Sequence, residues 1–252
     1  MQIADKSQRR LRHMLMAALF VALAYVSRFV FHFNVMFLTF EFKDAIITIG
    51  GMFLGPLWAL GMSIATALIE FITISDTGVY GLIMNVSAAM AFSGVASLIY
   101  RCRRTLGGAI AGLSLGAVAL VGVMLPLNLL VTPRYMGVSV GDVAALIPKL
   151  LFPFNLLKGI MNMAVALLLY KPVISALRSA HLAEAHSSAP TPLPAEPDDT
   201  QYASHTGAGR TEKGKMKIWI SHWMVPILGV ILLAVSLLIF FLVLHGNVSF
   251  GS

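Results

Sequence analysis

Cysteine is nearly absent from this chain. Cys102 is the single one among 252 residues, so an internal disulfide is excluded. Flanked by Arg101, Arg103 and Arg104, it reads as a boundary residue rather than a redox centre. Charge is scarce as well: 12% of residues are charged and 58% are hydrophobic, against roughly a quarter charged in soluble domains. With a mean hydropathy of +0.84, the composition excludes an ordinary soluble core and indicates an integral membrane protein. No combined Cys and His ligand set occurs among the seven His and the single Cys, so no metal site is legible. No Gly-x-x-x-x-Gly-Lys-[Ser/Thr] occurs, which excludes ATP binding by a P-loop. Acidic residues are few, 11 against 18 Lys and Arg. The basic excess falls in short clusters between apolar runs, as the positive-inside rule expects, and this argues against nucleic-acid binding.

What is present is a series of apolar runs. The first, from about Leu15 to Phe33, follows a basic segment but is long for a signal peptide, so we read it as an uncleaved span. Further spans are predicted at about 79–100, 106–131, 152–174 and 218–244. The stretch from Ala45 to Ile74 is too long for one span of roughly 20 residues and short for two. Charge parity resolves it. Basic clusters at Lys6 to Arg12, Arg101 to Arg104, Lys171 to Arg178 and Arg210 to Lys217 share the cytoplasmic side only if the stretch breaks at Gly55-Pro56 into a helical hairpin. Residues 1–178 then form a six-helix membrane domain with a cytoplasmic N-terminus. Residues 179–215, with Pro190, Pro192, Pro194 and Pro197 among small and acidic residues, read as a disordered cytoplasmic linker. Residues 216–252 supply a further span and a short outer tail; with neither charge nor amide in its apolar run, that span reads as a simple anchor.

The chemistry is concentrated in two segments, Leu125-Pro-Leu-Asn-Leu-Leu-Val131 and Phe152-Pro-Phe-Asn-Leu-Leu-Lys-Gly159. Each places an amide in lipid-compatible surroundings and the second adds a cation, and polar groups at membrane depth are costly without a partner. Asn128, Asn155, Lys158 and Asp44 fall at similar depth, the expected form of a small-molecule site with a few polar groups among apolar walls. Connections at His32 to Lys43, Thr73 to Gly81 and Thr132 to Leu151 carry Phe42, Tyr80, Tyr135 and Asp142. They suit a lid over such a pocket, and equally an interfacial aromatic belt. Glu70 and Asn85 are expected to make interhelical polar contacts.

Together these features resemble the substrate-binding (S) component of energy-coupling factor (ECF) vitamin transporters. The likeness rests on Ala18-x-x-x-Ala22, Asp44-Ala-Ile-Ile-Thr-Ile-Gly-Gly-Met-Phe-Leu-Gly-Pro56, Pro153-Phe-Asn-Leu-Leu-Lys-Gly159 and Leu168-Leu-Leu-Tyr-Lys171. It covers about residues 11–178, and within the group the riboflavin-specific branch is most similar. The resemblance implies an all-α integral membrane fold, a six-helix bundle with one additional C-terminal helix here, in the cell membrane of a bacterium. It also implies a non-enzymatic subunit without a resident cofactor. Such a subunit captures a vitamin outside and works with a membrane coupling subunit and two ATPases.

By the same resemblance Asn155 and Lys158 hold riboflavin; Asn128, Asp44, Phe42 and Tyr135 are read beside them as further contacts from their depth and loops, and the small-residue face of Ala18 and Ala22 as the docking surface for the coupling subunit. Physics agrees in part. Asn155 and Lys158 share a helix face, and a lysine near a helix's positive end wants an acceptor. Lys158 pairing with Asp44 or Asp142 is the alternative, as is internal packing for the two alanines. Other readings are an S component for a different vitamin or a gradient-driven secondary transporter. Against the latter, residues 11–100 show no repeat in 101–178. No catalytic constellation is visible, and the last span has no Lys for a retinal Schiff base.

Overall fold

A computed structural model of the chain describes residues 2–30, 32–35, 37–179, 226–227, 229–235, 238 and 248–249. Apart from Ser179, the predicted linker lies outside the described residues, as does most of the predicted last span.

The chain is mostly helical. Helix α1 spans Gln2–Val30 and is followed by a short hairpin, β1 (His32–Val35) and β2 (Leu38–Glu41). Then come α2 (Lys43–Leu54) and α3 (Pro56–Thr73). The next pass is built from α4 (Gly78–Ala89), a π-helical turn at Met90–Gly94 and α5 (Val95–Cys102). After α6 (Leu106–Met136), the last long pass consists of α7 (Val140–Leu146), a second π-turn at Ile147–Leu151 and α8 (Phe152–Ser179). Among the described residues, five helical segments are long and apolar enough to cross a membrane. The 12-residue α2 is not among them, since at 1.5 Å per residue it covers about 18 Å of a hydrocarbon core of about 30 Å.

The sequence expects a break at Gly55-Pro56, and the backbone breaks there. Gly55 sits at φ +108°, a conformation that L side chains rarely adopt, and Pro56 opens α3 at a position where its missing N–H costs nothing. Contacts at the two ends show how successive helices run. Near the hairpin, the Tyr25 hydroxyl donates to Thr73 Oγ1 at 3.0 Å, and the rings of Tyr80 and Tyr135 lie 6.3 Å apart. At the other end His13 packs edge-on to Trp58, and the buried hydroxyls of Tyr100 and Tyr170 are 2.9 Å apart.

Between the ends the core is apolar, with Phe20, Ile47, Phe92, Leu113 and Leu167 buried together. Helices α5 and α6 pack unusually closely because α6 offers glycine to its neighbour. A Cβ on Gly112 would come within 2.7 Å of the Ala96 carbonyl oxygen, and one on Gly116 equally near the Phe92 carbonyl. Small residues permit such backbone approach between membrane helices, where dispersion rather than hydrophobicity drives packing.

Three expectations are corrected. The run read as a span to Phe33 leaves the helix after Val30 and turns into strand, pairing His32 with Glu41 and Val35 with Leu38. The segment from Thr132 to Leu151 is not a long loop. Helix α6 continues through Pro133 to Met136, capped by Gly137 at φ +68°, and α7 begins at Val140 behind a capping box made by Ser139 and Asp142. The C-terminal segment is also more than a lone anchor. Gly229 packs against Leu168 and Ala164 of α8, Leu232 joins the core, and strand β3 (Val248–Ser249) pairs antiparallel with β1.

Candidate functional site

The hairpin end of the bundle encloses a cavity of about 380 Å³, within the usual size of small-molecule sites. Its polar wall includes Arg28, Glu70, Asn85, Asn128, Asn155 and Lys158. Its apolar wall includes Phe29, Phe37, Phe71, Met124 and Phe154, with Tyr80 and Tyr135 beside the acidic Asp76.

Helix α8 supplies two of the predicted residues. Asn155 and Lys158, three residues apart on one face, both reach the cavity and both are buried. The Asn155 Nδ2 donates to the Leu151 carbonyl at 2.7 Å, and its Oδ1 has no hydrogen-bond partner among the described residues. An amide so arranged offers the cavity an acceptor. From α6 comes Asn128, fully buried, whose Nδ2 donates to the Met124 carbonyl at 2.7 Å while Oδ1 accepts from the Thr132 hydroxyl at 3.0 Å. Asn128 is thus largely satisfied within its own helix. Tyr135, 42% exposed, lines the wall.

The remaining two predicted contacts stand elsewhere. Phe42 is not in the wall; it packs against the cluster of Phe40, Leu150, Phe154, Leu157 and Met161 that seats the hairpin on α8. Within that cluster the Phe40 and Phe154 rings lie 4.4 Å apart. Asp44 lies behind the wall, 1% exposed, and neither of its carboxylate oxygens has a hydrogen-bond partner among the described residues. Its charge is met by the Lys158 ammonium at 3.9 Å.

Lys158 does not snorkel away from the bundle. It donates to Glu41 Oε1 at 3.4 Å in addition to facing Asp44. Asp142, the other partner weighed for it, is instead held by the Ser139 hydroxyl at 2.7 Å. Glu41 is the hub of the arrangement. Arg28 of α1 reaches its Oε2 at 2.6 Å, and Lys43 reaches its Oε1 at 2.9 Å. Burial alone would raise a carboxyl's pKa, but the charges of Lys43, Lys158 and Arg28 hold Glu41 well below the usual carboxylate range. Lys43 also pairs with Glu70, whose Oε2 accepts from Asn85 Nδ2 at 3.5 Å, so Glu70 and Asn85 do make interhelical contacts. The Asn162 amide ties the same corner together, accepting from the Ala45 N–H at 3.0 Å and donating to the Glu41 carbonyl at 3.3 Å.

Sequence reasoning missed Arg28 and Lys43 as parts of the site and left Glu41 as a loop acid. A signal existed: an arginine two residues before the end of an apolar helix, and the run Glu41-Phe-Lys-Asp44 beside another apolar stretch. Charges of opposite sign at the edge of the hydrocarbon are expected to find each other.

Residues 12–170 match the family model described as the ECF transporter, substrate-specific component. The chain belongs to that family. It is therefore a multi-pass membrane protein and the substrate-specific subunit of a transporter. A solved S component of a bacterial ECF transporter superposes with a TM-score of 0.58 at 25% sequence identity, covering 67% of this chain and 99% of that one. No curated protein matches the sequence significantly. The family match thus covers residues 12–170 of the 252, and the segment packed on α8 lies beyond it.

Ala18 and Ala22 lie on the opposite side of α1 from the core. Ala17, Phe20 and Ala24 are buried, while Ala18 and Ala22 are exposed together with Leu15 and Leu19. Internal packing does not explain the small residues on this face.

Proposed function

We propose that the chain captures riboflavin in the cavity at the hairpin end and delivers it into the cell with a membrane coupling subunit and two ATPases. The observation that carries the reading is the joint presence of Asn155 and Lys158 in one cavity wall, on the helix and at the spacing that the riboflavin-branch motif requires. A flavin ring system offers carbonyl oxygens and ring nitrogens to the ammonium of Lys158 and an N–H to the free Oδ1 of Asn155. Its faces suit the flanking Phe154 and Tyr135, since aromatic contacts add about 0.5–1.5 kcal/mol beyond burial. The hairpin end then faces outside and the Arg101 to Arg104 end lies in the cytoplasm of the cell membrane, as the basic clusters favour. The exposed face of α1 around Ala18 and Ala22 is the docking surface for the coupling subunit, where small residues admit a second helix.

The absorption spectrum of the purified full chain tests the substrate. Protein carrying a flavin is yellow and fluorescent, whereas colourless protein that binds a different vitamin overturns riboflavin and keeps the family. For docking, the double replacement Ala18→Leu and Ala22→Leu is expected to suppress uptake while leaving ligand affinity intact. Equal loss of both shows that the alanines serve the fold.

A further inference from the structure

The ion network behind the cavity is balanced. Three cations, Arg28, Lys43 and Lys158, contact three carboxylates, Glu41, Asp44 and Glu70, through pairs that interlock across α1, β2, α2, α3 and α8. Apart from Arg28, whose side chain is 21% exposed, none of these side chains exceeds 8% exposure. Arg28, Lys158 and Glu70 themselves line the cavity, so a bound ligand meets cations whose charge is already cancelled. Asp76, exposed on the same wall, adds a further negative charge.

This balance has a consequence for the ligand. A phosphate or carboxylate entering the cavity would carry an uncompensated charge out of water, and the desolvation penalty is repaid only by a free opposite charge. The cavity has none to give, because drawing Lys158 to an anion would take its cation from Asp44, a buried carboxylate that already lacks a hydrogen bond among the described residues. For a cation the wall is less hostile, since Asp76 and the Glu70 Oε1, unpartnered among the described residues, stay available beside the Oε2 that Lys43 and Asn85 engage, so the discrimination is against anions. An uncharged polar ligand avoids the anion's obstacle, since the ammonium of Lys158 can still donate and Asn155 can still accept.

We infer that Glu41, Asp44 and Glu70 act as built-in counter-charges that make the cavity select an uncharged polar ligand and reject its phosphorylated or carboxylate-bearing relatives. The inference rests on the cavity being the substrate site, and it gives the acids a positioning and specificity role rather than direct ligand contact for Asp44.

Matched pairs test it on the full-length chain in detergent, by quenching of intrinsic fluorescence or by calorimetry. Riboflavin is expected to bind at least about tenfold more tightly than riboflavin 5′-phosphate, a gap of about 1.4 kcal/mol. In Asp44→Asn, isosteric and one charge more positive, that ratio is expected to shrink several-fold because binding of the phosphate improves. Glu70→Gln repeats the test from the other side of the network, should Asp44→Asn fold poorly. Equal affinity for both flavins in the unmodified chain overturns the inference, as does an unchanged ratio in both variants with the two affinities moving together. If neither flavin binds, the flavin reading has failed, and the charge inference is judged on pyridoxal against pyridoxal 5′-phosphate and on biotin against biotinamide. Tighter binding of the anionic member of either pair overturns it.

Discussion

At the hairpin end of the bundle, helices are joined by charges; toward the Arg101 to Arg104 end, they are joined by the absence of side chains. Arg28, Glu41, Lys43, Glu70 and Lys158 link four helices and a strand through long reaching groups, and the same corner leaves a cavity of about 380 Å³. Gly112 and Gly116 instead bring α6 onto the carbonyls of Ala96 and Phe92, where no room is left even for a methyl group. The two modes answer different needs. Dispersion packing through small residues gives stability without polar atoms, whereas an ion network in apolar surroundings costs desolvation and contributes little net stability over an apolar substitute. A network kept under those terms is explained by what it does to the adjoining cavity.

The largest effect is therefore expected from unbalancing the network. Lys158→Met keeps most of the side chain's volume but removes the ammonium shared by Glu41 and Asp44. Leaving a buried charge uncompensated typically costs about 3–5 kcal/mol, so thermal unfolding in detergent is expected to fall markedly and ligand binding to be lost. A variant as stable as the parent would show that the network is looser than its burial indicates. Next in size is Gly112→Val at the other mode of packing. With the Ala96 carbonyl 2.7 Å from the added Cβ, the helices must separate, and overpacking of this kind costs about 1–3 kcal/mol. Affinity of the folded fraction is expected to survive, which separates the two regions: one variant loses ligand, the other loses only stability.

The packed region was more legible in the sequence than the charged one. The break between α2 and α3 follows from Gly55-Pro56 because turn chemistry is local, and Asn155 and Lys158 stand out because amides and cations are rare in apolar runs. The hub did not stand out. Glu41 meets Arg28, 13 residues before it, and Lys158, 117 residues after it, and neither separation leaves a periodic trace. The hairpin was hidden for a related reason: four-residue strands flanked by aromatics resemble an interfacial loop in composition. The span predicted to end at residue 131 falls short of the helix: proline is tolerated inside membrane helices, and α6 runs on through Pro133 to Met136, where the Pro133 carbonyl accepts from the N–H groups of Gly137 and Val138 at the helix end.

A smaller effect, confined to the ligand, is expected from Asn155→Ala. The residue belongs to no ion pair, and its Nδ2 bond to Leu151 duplicates an acceptor already within the helix. Loss of one neutral hydrogen bond is worth about 0.5–1.5 kcal/mol, so affinity for riboflavin is expected to drop by several-fold to about tenfold with the unfolding temperature unchanged. Unchanged affinity would remove Asn155 from the site and leave Lys158 as the sole contact drawn from the motif.

The smallest effect is expected from cutting the chain after Arg178. Among the described residues the cavity wall comes from residues 28–158, and the family match ends at residue 170, so the truncated chain retains each of those lining groups. What it loses is the packing of Gly229 and Leu232 on the α8 side and the pairing of Val248–Ser249 with Asn34 and Val35 of β1. The hairpin would still be seated by Phe40 on Phe154 and by Arg28 on Glu41. A backbone hydrogen bond contributes about 0.5–1.5 kcal/mol net, and one that is present with and without ligand cancels from the affinity, so equilibrium binding is expected to change by less than about threefold. Release of the ligand is the more sensitive readout, because β1 is the strand that β3 extends and its hairpin borders the cavity through Phe37, Leu38 and Thr39. Stopped-flow dissociation from the full and truncated chains separates the cases. Equal rates make the appended segment a passive neighbour of α8, and faster release with unchanged pocket residues makes it part of what holds the hairpin over the ligand.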